Sequence, residues 1–150
     1  MAHTYTNLLT HIIFSTKNRE PTINDEIRSR LFPYMGGVLR EIQVRPILIN
    51  GTSDHVHLLI AIPPAISVSD SMRILKTNSS RWVHETWPRT TDFGWQAGYG
   101  AFSVSQSNAE AVRAYIADQE NHHRHLTFKD EFLAFLRRHE IEFDERYIWE

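Results

Sequence analysis

The sequence predicts an α+β domain, and three observations point to it. Short apolar runs with strand periodicity alternate with longer stretches of helical periodicity. Residues 44–62 read as two strands joined by Asn50-Gly51, a turn signal for antiparallel pairing. A length of 150 residues suits one compact domain spanning 1–150.

Each element has its own warrant. Tyr5 to Thr16 reads as a strand, with Leu8, Ile12 and Phe14 among threonines. After a polar connector from Lys17 to Pro21, Thr22 or Asn24 can cap a helix to about Ile42. Ile27, Leu31, Phe32 and Leu39 form its apolar stripe, while Pro33 and Gly36-Gly37 weaken it and are positions for a kink. Val44 to Asn50 and Val56 to Ile62 are the paired strands, the second ended by Pro63-Pro64. Ser67 to about Thr86 is a second helix, Pro88 to Gly98 an aromatic loop, and Tyr99 to Ser105 an alternating strand. Ser107 opens a third helix with Glu110 at capping-box spacing, and Phe128 to about His139 is a last short helix. The order is that of a ferredoxin-like βαββαβ antiparallel sheet with helices on one face, followed by a C-terminal helical extension. The open edges of such a sheet invite pairing with a second copy.

Composition narrows the function. The absence of cysteine excludes disulfides, thiolate metal sites and cysteine nucleophiles, and fits a reducing, cytoplasmic setting. No apolar run reaches membrane-spanning length, and the N-terminus lacks a signal-peptide layout. A formal net charge of −2 weighs against an unselective nucleic-acid binder, although a local basic face can still serve. Only Lys17, Lys76 and Lys129 are lysine; the other basic residues are arginine, whose fork suits phosphate.

The chemistry concentrates in Asp54-His55-Val56-His57-Leu58-Leu59-Ile60. Residues i and i+2 of a strand share a face, so His55 and His57 project side by side as half of a divalent-metal site. Two unremarkable strand histidines are the competing reading. Tyr115 and Gln119 stand four residues apart in a helical stretch, on one helix face, with Val112 and Ile116 as the neighbouring docking stripe. If that face looks toward the histidines, the carboxamide is a third ligand and the phenol lies beside the metal. A phenol is a poor nucleophile until a base or metal lowers that cost. Tyr5, Tyr34, Tyr99 and Tyr147 compete, but none has Gln or Glu on the same helix face. Asp118 and Glu120 flank Gln119 as carboxylate alternatives but point about 100° away. Asp54 can orient an imidazole or be a plain loop residue. His122, His123 and His125 can bind metal, but they follow the helix end, where complementing the dipole or meeting phosphate is the favoured, accessory role. Imidazole is not a usual magnesium ligand, so Mn2+ is at least as plausible as Mg2+.

His-Val-His on a strand, a later Tyr-x-x-x-Gln, and the run Trp95-Gln96-Ala97-Gly98-Tyr99-Gly100-Ala101-Phe102-Ser103-Val104-Ser105 between them carry a family likeness. From about Asn7 to its C-terminus the chain resembles the single-domain tyrosine transposases of the His-hydrophobe-His superfamily. These are the insertion-sequence-200-like enzymes and their relatives that act on repetitive extragenic palindromes. The resemblance implies that His55, His57 and Gln119 hold a divalent metal (Mg2+ or Mn2+) and that Tyr115 attacks single-stranded DNA. A 5′-phosphotyrosine link and a free 3′-hydroxyl result, and a second 3′-hydroxyl attack rejoins strands without ATP. The absence of a Gly-x-x-x-x-Gly-Lys loop agrees with that. The resemblance also implies a bacterial, nucleoid-associated homodimer with active sites shared between subunits, and recognition of a DNA hairpin. Two rivals are a non-catalytic hairpin-binding relative and a metal-dependent phosphodiester hydrolase in which Tyr115 only orients a water.

Further expected DNA contacts are Arg73, Lys76 and Arg81, with Thr77, Ser80 and His84, on one side of the second helix, joined by Lys17 and Arg19. Trp87, Phe93 and Trp95 can stack on unpaired bases or pin their loop to the core.

Overall fold

The computed structural model describes residues 2–149. Four strands, β1 (Leu9–Ser15), β2 (Arg45–Gly51), β3 (His55–Ala61) and β4 (Gly100–Ser103), form one antiparallel sheet in the order β2-β3-β1-β4. Helices α1 (Asp25–Glu41) and α2 (Val68–Thr86) fill the two crossovers, which completes the ferredoxin-like βαββαβ pattern. Helices α3 (Ala109–Ala117), α4 (Gln119–His122) and α5 (Phe128–Arg138) form the C-terminal extension. Among the described residues no helix is long and apolar enough to cross a membrane.

Local chemistry sets the boundaries. Asn24 Oδ1 accepts from the Ile27 amide at 2.9 Å, Ser67 Oγ from Asp70 at 3.0 Å and Thr127 Oγ1 from Asp130 at 3.2 Å, so α1, α2 and α5 each begin at a side-chain cap. Helix α1 runs unbroken through Pro33 and Gly36-Gly37, because its buried stripe of Ile27, Leu31, Met35 and Leu39 holds it to the sheet. Three expectations shift. The first strand starts at Leu9 rather than Tyr5, whose ring is exposed. The hairpin turn is Thr52–Asp54; Asn50 and Gly51 still pair with His57 and Val56. A side chain at Gly51 would collide with the His55 carbonyl. Ser107 lies in a 3-10 turn, Gln106–Asn108, and α3 begins at Ala109 with no side-chain cap.

Strand alternation sorts the interior into two layers. Ile12, Phe14, Val56, Leu58 and Ile60 face α1 and α2 in the larger core. Ile13 and Phe102 face the other way, against Phe128, Phe132, Phe135 and Leu136 of α5. β3 lies between β1 and β2 and is covered on both faces, so His55 through Ile60 are all buried. The histidines share the second layer, under the C-terminal helices.

Candidate active site

β3 projects His55 and His57 into that layer, and both are fully buried. A buried imidazole requires partners for both ring nitrogens. His55 Nδ1 donates to Asp54 Oδ1 at 2.7 Å, and Thr52 Oγ1 lies 2.9 Å from the same nitrogen. Its Nε2 points into the layer, 3.1 Å from Gln119 Oε1 and 3.4 Å from Glu131 Oε1. His57 Nε2 donates to Glu131 Oε1 at 2.8 Å, while its Nδ1 lies 2.8 Å from Nε2 of His11 on β1. Asp54 thus takes the orienting role, and His11 does the same for His57.

Tyr115 and Gln119 reach the pair, though not along one helix. α3 ends at Ala117, and Asp118 breaks the turn at φ −104°, ψ 27°. Asn50 Nδ2 donates to the Ile116 carbonyl at 2.9 Å, which caps the end of α3 against β2. Even so, the Tyr115 hydroxyl donates to Glu131 Oε2, and the buried Gln119 amide lies 3.5 Å from the same oxygen. His123 Nε2 donates to Glu131 Oε1 at 3.0 Å, and His122 stacks on the Tyr115 ring at 4.4 Å. His125 is exposed. The other tyrosines are placed elsewhere: Tyr34 stacks on Trp82 and Tyr99 packs beneath Lys76, both on the α2 side of the sheet, and Tyr5 and Tyr147 are exposed.

The site is electrostatically biased. Burial alone would raise the Glu131 carboxyl, but hydrogen bonds from His123, His55 and His57 outweigh it and keep the group ionised, well below the usual carboxylate range. Burial opposes charge on His55 as well, yet its bonds and the negative charges of Asp54 and Glu131 raise its pKa to about 9. Burial pushes His57 down to about 4, and burial with His57 beside it pushes His11 down to about 3. Burial and the Glu131 carboxylate push the Tyr115 phenol up, so it holds its proton. Two carboxylates, Asp54 and Glu131, therefore face one imidazolium. One donor atom from each of His55, His57, His123 and Glu131 lies within 4.8 Å of all the others. Three imidazoles, a carboxylate and a nearby carboxamide, with surplus negative charge, fit a divalent metal cation.

Glu131 and His11 were missed from sequence, although each left a signal. Glu131 lies on the apolar stripe of α5 with Phe128, Phe132 and Phe135, and a carboxylate there needs a buried partner. His11 interrupts the apolar run of β1 on the same face as Ile13. Replacement of His11 by alanine is expected to weaken Mn2+ binding about tenfold, in the range for partners of metal-bound histidines. Calorimetric titration checks this, and an unchanged affinity would reduce His11 to a packing residue.

The expected DNA contacts fall elsewhere. Arg73, Lys76 and Arg81 lie on α2, across the sheet from the histidines. Arg73 is exposed 3.6 Å from Asp70, and Arg81 donates to Asn78 Oδ1 at 2.8 Å. Lys76 Nζ donates to the carbonyls of Gln96 at 3.0 Å and Gly98 at 2.5 Å, and burial pushes it down to about 8. Its ammonium is engaged within the protein rather than free for phosphate. Lys17 is exposed, and the Arg19 guanidinium sits 5.4 Å from the Trp149 ring. Trp87 packs on Trp82, Phe93 is buried, and Trp95 donates to Ser79 Oγ at 2.9 Å and packs on Phe14, so these rings pin their loop to the core. Gln96 Oε1 accepts from the Ser15 amide at 2.7 Å, which anchors that loop to β1 at the sheet end where His55 lies.

Comparison with known proteins finds relatives by sequence and by fold. Residues 4–119 match the family model described as "Transposase IS200 like". The chain is 33% identical over 129 residues to the transposase for insertion sequence element IS200 of Salmonella typhimurium, covering 79% of this chain and 81% of that protein. It is 24% identical over 116 residues to the ISDra2 transposase TnpA of Deinococcus radiodurans, covering 74% and 83%. Among solved structures, a putative transposase from Deinococcus radiodurans superposes with a TM-score of 0.63 at 22% identity, covering 79% of this chain and 96% of that one. A REP-associated tyrosine transposase bound to a REP hairpin superposes with a TM-score of 0.53 at 13% identity, covering 77% and 67%.

Proposed function

Because the chain belongs to the IS200-like transposase family, we propose that it is a metal-dependent single-strand DNA transposase with Tyr115 as its nucleophile and His55, His57 and Gln119 as metal ligands. One observation carries this reading: the Tyr115 hydroxyl and the Gln119 carboxamide, from two short helices, converge with both imidazoles of β3 on a single buried carboxylate. Perturbed titratable groups gathered around a specific charge partner mark a functional-site candidate.

In the proposed reaction the Tyr115 oxygen attacks a backbone phosphorus. The new O–P bond replaces the bond to the 3′-oxygen, which departs and gains the proton that the phenol loses. The products are a 5′-phosphotyrosine and a free 3′-hydroxyl. The reverse attack by another 3′-hydroxyl rejoins strands and returns the proton to Tyr115. A divalent cation supplies Lewis-acid charge to a phosphoryl oxygen when bound. Asp54 and His11 keep the two imidazoles aimed inward. A cavity of about 690 Å³, lined in part by Arg28, Asp54, His123 and Arg124, lies outside the buried site and shares Asp54 and His123 with it. A DNA hairpin is the proposed substrate feature, by likeness to the hairpin-bound relative, which would locate the enzyme with chromosomal DNA. The open edges β2 and β4 leave room for a homodimer, but the shared-site expectation is not what this chain's geometry favours: its Tyr115 and Gln119 meet its own histidine pair.

The test is incubation with single-stranded DNA bearing palindromes and Mn2+, followed by denaturing electrophoresis. A covalent adduct supports the reading. Cut DNA without adduct indicates a hydrolase, and bound but uncut DNA a hairpin-binding module.

Ion binding also has an expected proton count. At neutral pH His55, raised to about 9, carries a proton that a cation must displace, whereas His57, lowered to about 4, is already neutral. Affinity should therefore fall about tenfold per pH unit as pH drops from about 8 to about 6, with about one proton released per ion. Calorimetry in buffers of different ionisation enthalpy measures this, and zero release would contradict it.

A further inference from the structure

The family match ends at residue 119, yet the centre of the site is supplied by Glu131, beyond it on α5. Nothing in the Tyr-x-x-x-Gln pattern calls for that carboxylate. Its two oxygens are used differently. Oε1 faces the histidines, 2.8 Å from His57 Nε2, 3.0 Å from His123 Nε2 and 3.4 Å from His55 Nε2. Oε2 faces the nucleophile and accepts the Tyr115 hydroxyl, with the Gln119 amide behind it. The side chain is 1% exposed, and α5 holds it in place by burying Phe128, Phe132, Phe135 and Leu136 around it.

We propose that Glu131 is a further residue of the strand-transfer site, ligating the divalent cation through one carboxylate oxygen and holding the Tyr115 hydroxyl beside it through the other. This rests on the metal and nucleophile roles proposed above and adds a function for the C-terminal helix. A carboxylate with imidazoles is a donor set suited to a divalent cation, and it leaves less net positive charge on the bound ion than a neutral ligand would. One rigid group then sets the distance between ion and phenol, which a helix bearing Tyr115 and Gln119 could not do here because α3 and α4 are broken at Asp118. The C-terminal extension thus becomes part of the active site rather than a cover over the sheet.

The experiment is Mn2+ titration of the full chain, followed by the electron paramagnetic resonance of free Mn2+ or by calorimetry. The wild type, Glu131→Gln, Tyr115→Phe and His57→Ala proteins are compared, with circular dichroism on each. Glu131→Gln should weaken Mn2+ binding at least tenfold, while Tyr115→Phe binds within about threefold of wild type. Equal affinity in Glu131→Gln would overturn the proposal. Tighter affinity would overturn it too, by showing that the carboxylate competes with the ion for the imidazoles. If Glu131→Gln does not fold, a crystal structure of the Mn2+-loaded wild type decides: a carboxylate oxygen bonded to the anomalous peak supports the proposal, and a carboxylate beyond bonding distance removes it. Should His57→Ala lose binding while Glu131→Gln keeps it, only the Glu131 role falls. Should His57→Ala also bind like wild type, the metal reading itself falls.

Discussion

Tyr115→Phe is expected to leave no covalent protein–DNA adduct above background, a loss of roughly a thousandfold or more, as removal of a nucleophile typically gives. The substitution deletes one hydroxyl and retains the ring that stacks on His122. Glu131 loses one donor but keeps those of His57 and His123, so the cost in stability is about 1 kcal/mol and the domain stays folded. Hairpin affinity should remain within about threefold, because at most one neutral hydrogen bond to DNA is lost. Adduct formation on single-stranded DNA with Mn2+, read beside a binding titration of the same variant, separates chemistry from recognition. Undiminished adduct would move the nucleophile elsewhere, and the structure offers no good substitute. Tyr34 and Tyr99 lie on the α2 side of the sheet, and Tyr5 and Tyr147 are exposed.

The parts of this site that were legible in the sequence are those set by local periodicity. The i, i+2 spacing on a strand put His55 and His57 on one face whatever the rest of the chain did, and the structure keeps them there. The Tyr115 and Gln119 pairing was legible for a reason that the fold only half respects: the side chains converge, but Asn50 stops α3 and Gln119 begins a new turn. Partners that arrive through tertiary pairing were not legible. His11 meets His57 because β1 is the neighbour of β3, and Glu131 meets both imidazoles because α5 folds back over the sheet. The basic side of α2 also holds a tertiary contact that was not legible. Lys76 follows the helical period of an exposed side, yet the carbonyls of residues 96–98 claim its ammonium, a contact that no single-helix reading contains. Asn50-Gly51 read as a turn for good local reasons, but pairing with Val56 and His57 extends the strand through it.

His57→Ala is expected to abolish metal-dependent cleavage while the sheet survives. His57 sits in the middle of β3, opposite Ile13 on one side and Asn50 on the other, so its backbone is held by ladders that alanine keeps. Removing the ring opens a cavity and strips a donor from Glu131 and a partner from His11, a cost of about 2–4 kcal/mol. A domain with the usual 5–15 kcal/mol tolerates that, with a lower Tm but an intact circular dichroism spectrum. The chemical loss is of another order. His57 is lowered to about 4 and so is neutral at pH 7; in the proposed role it would offer the cation a lone pair rather than offer the phosphate a charge. Without it the ion would lose one of its imidazoles and the aim that His11 imposes. Cleavage of a hairpin substrate, measured against Mn2+ concentration and in excess chelator, reads this directly. The variant should resemble the wild type in chelator at every Mn2+ concentration. Full activity of His57→Ala in chelator would reduce both buried imidazoles to structural roles and leave Tyr115 with no metal to assist it.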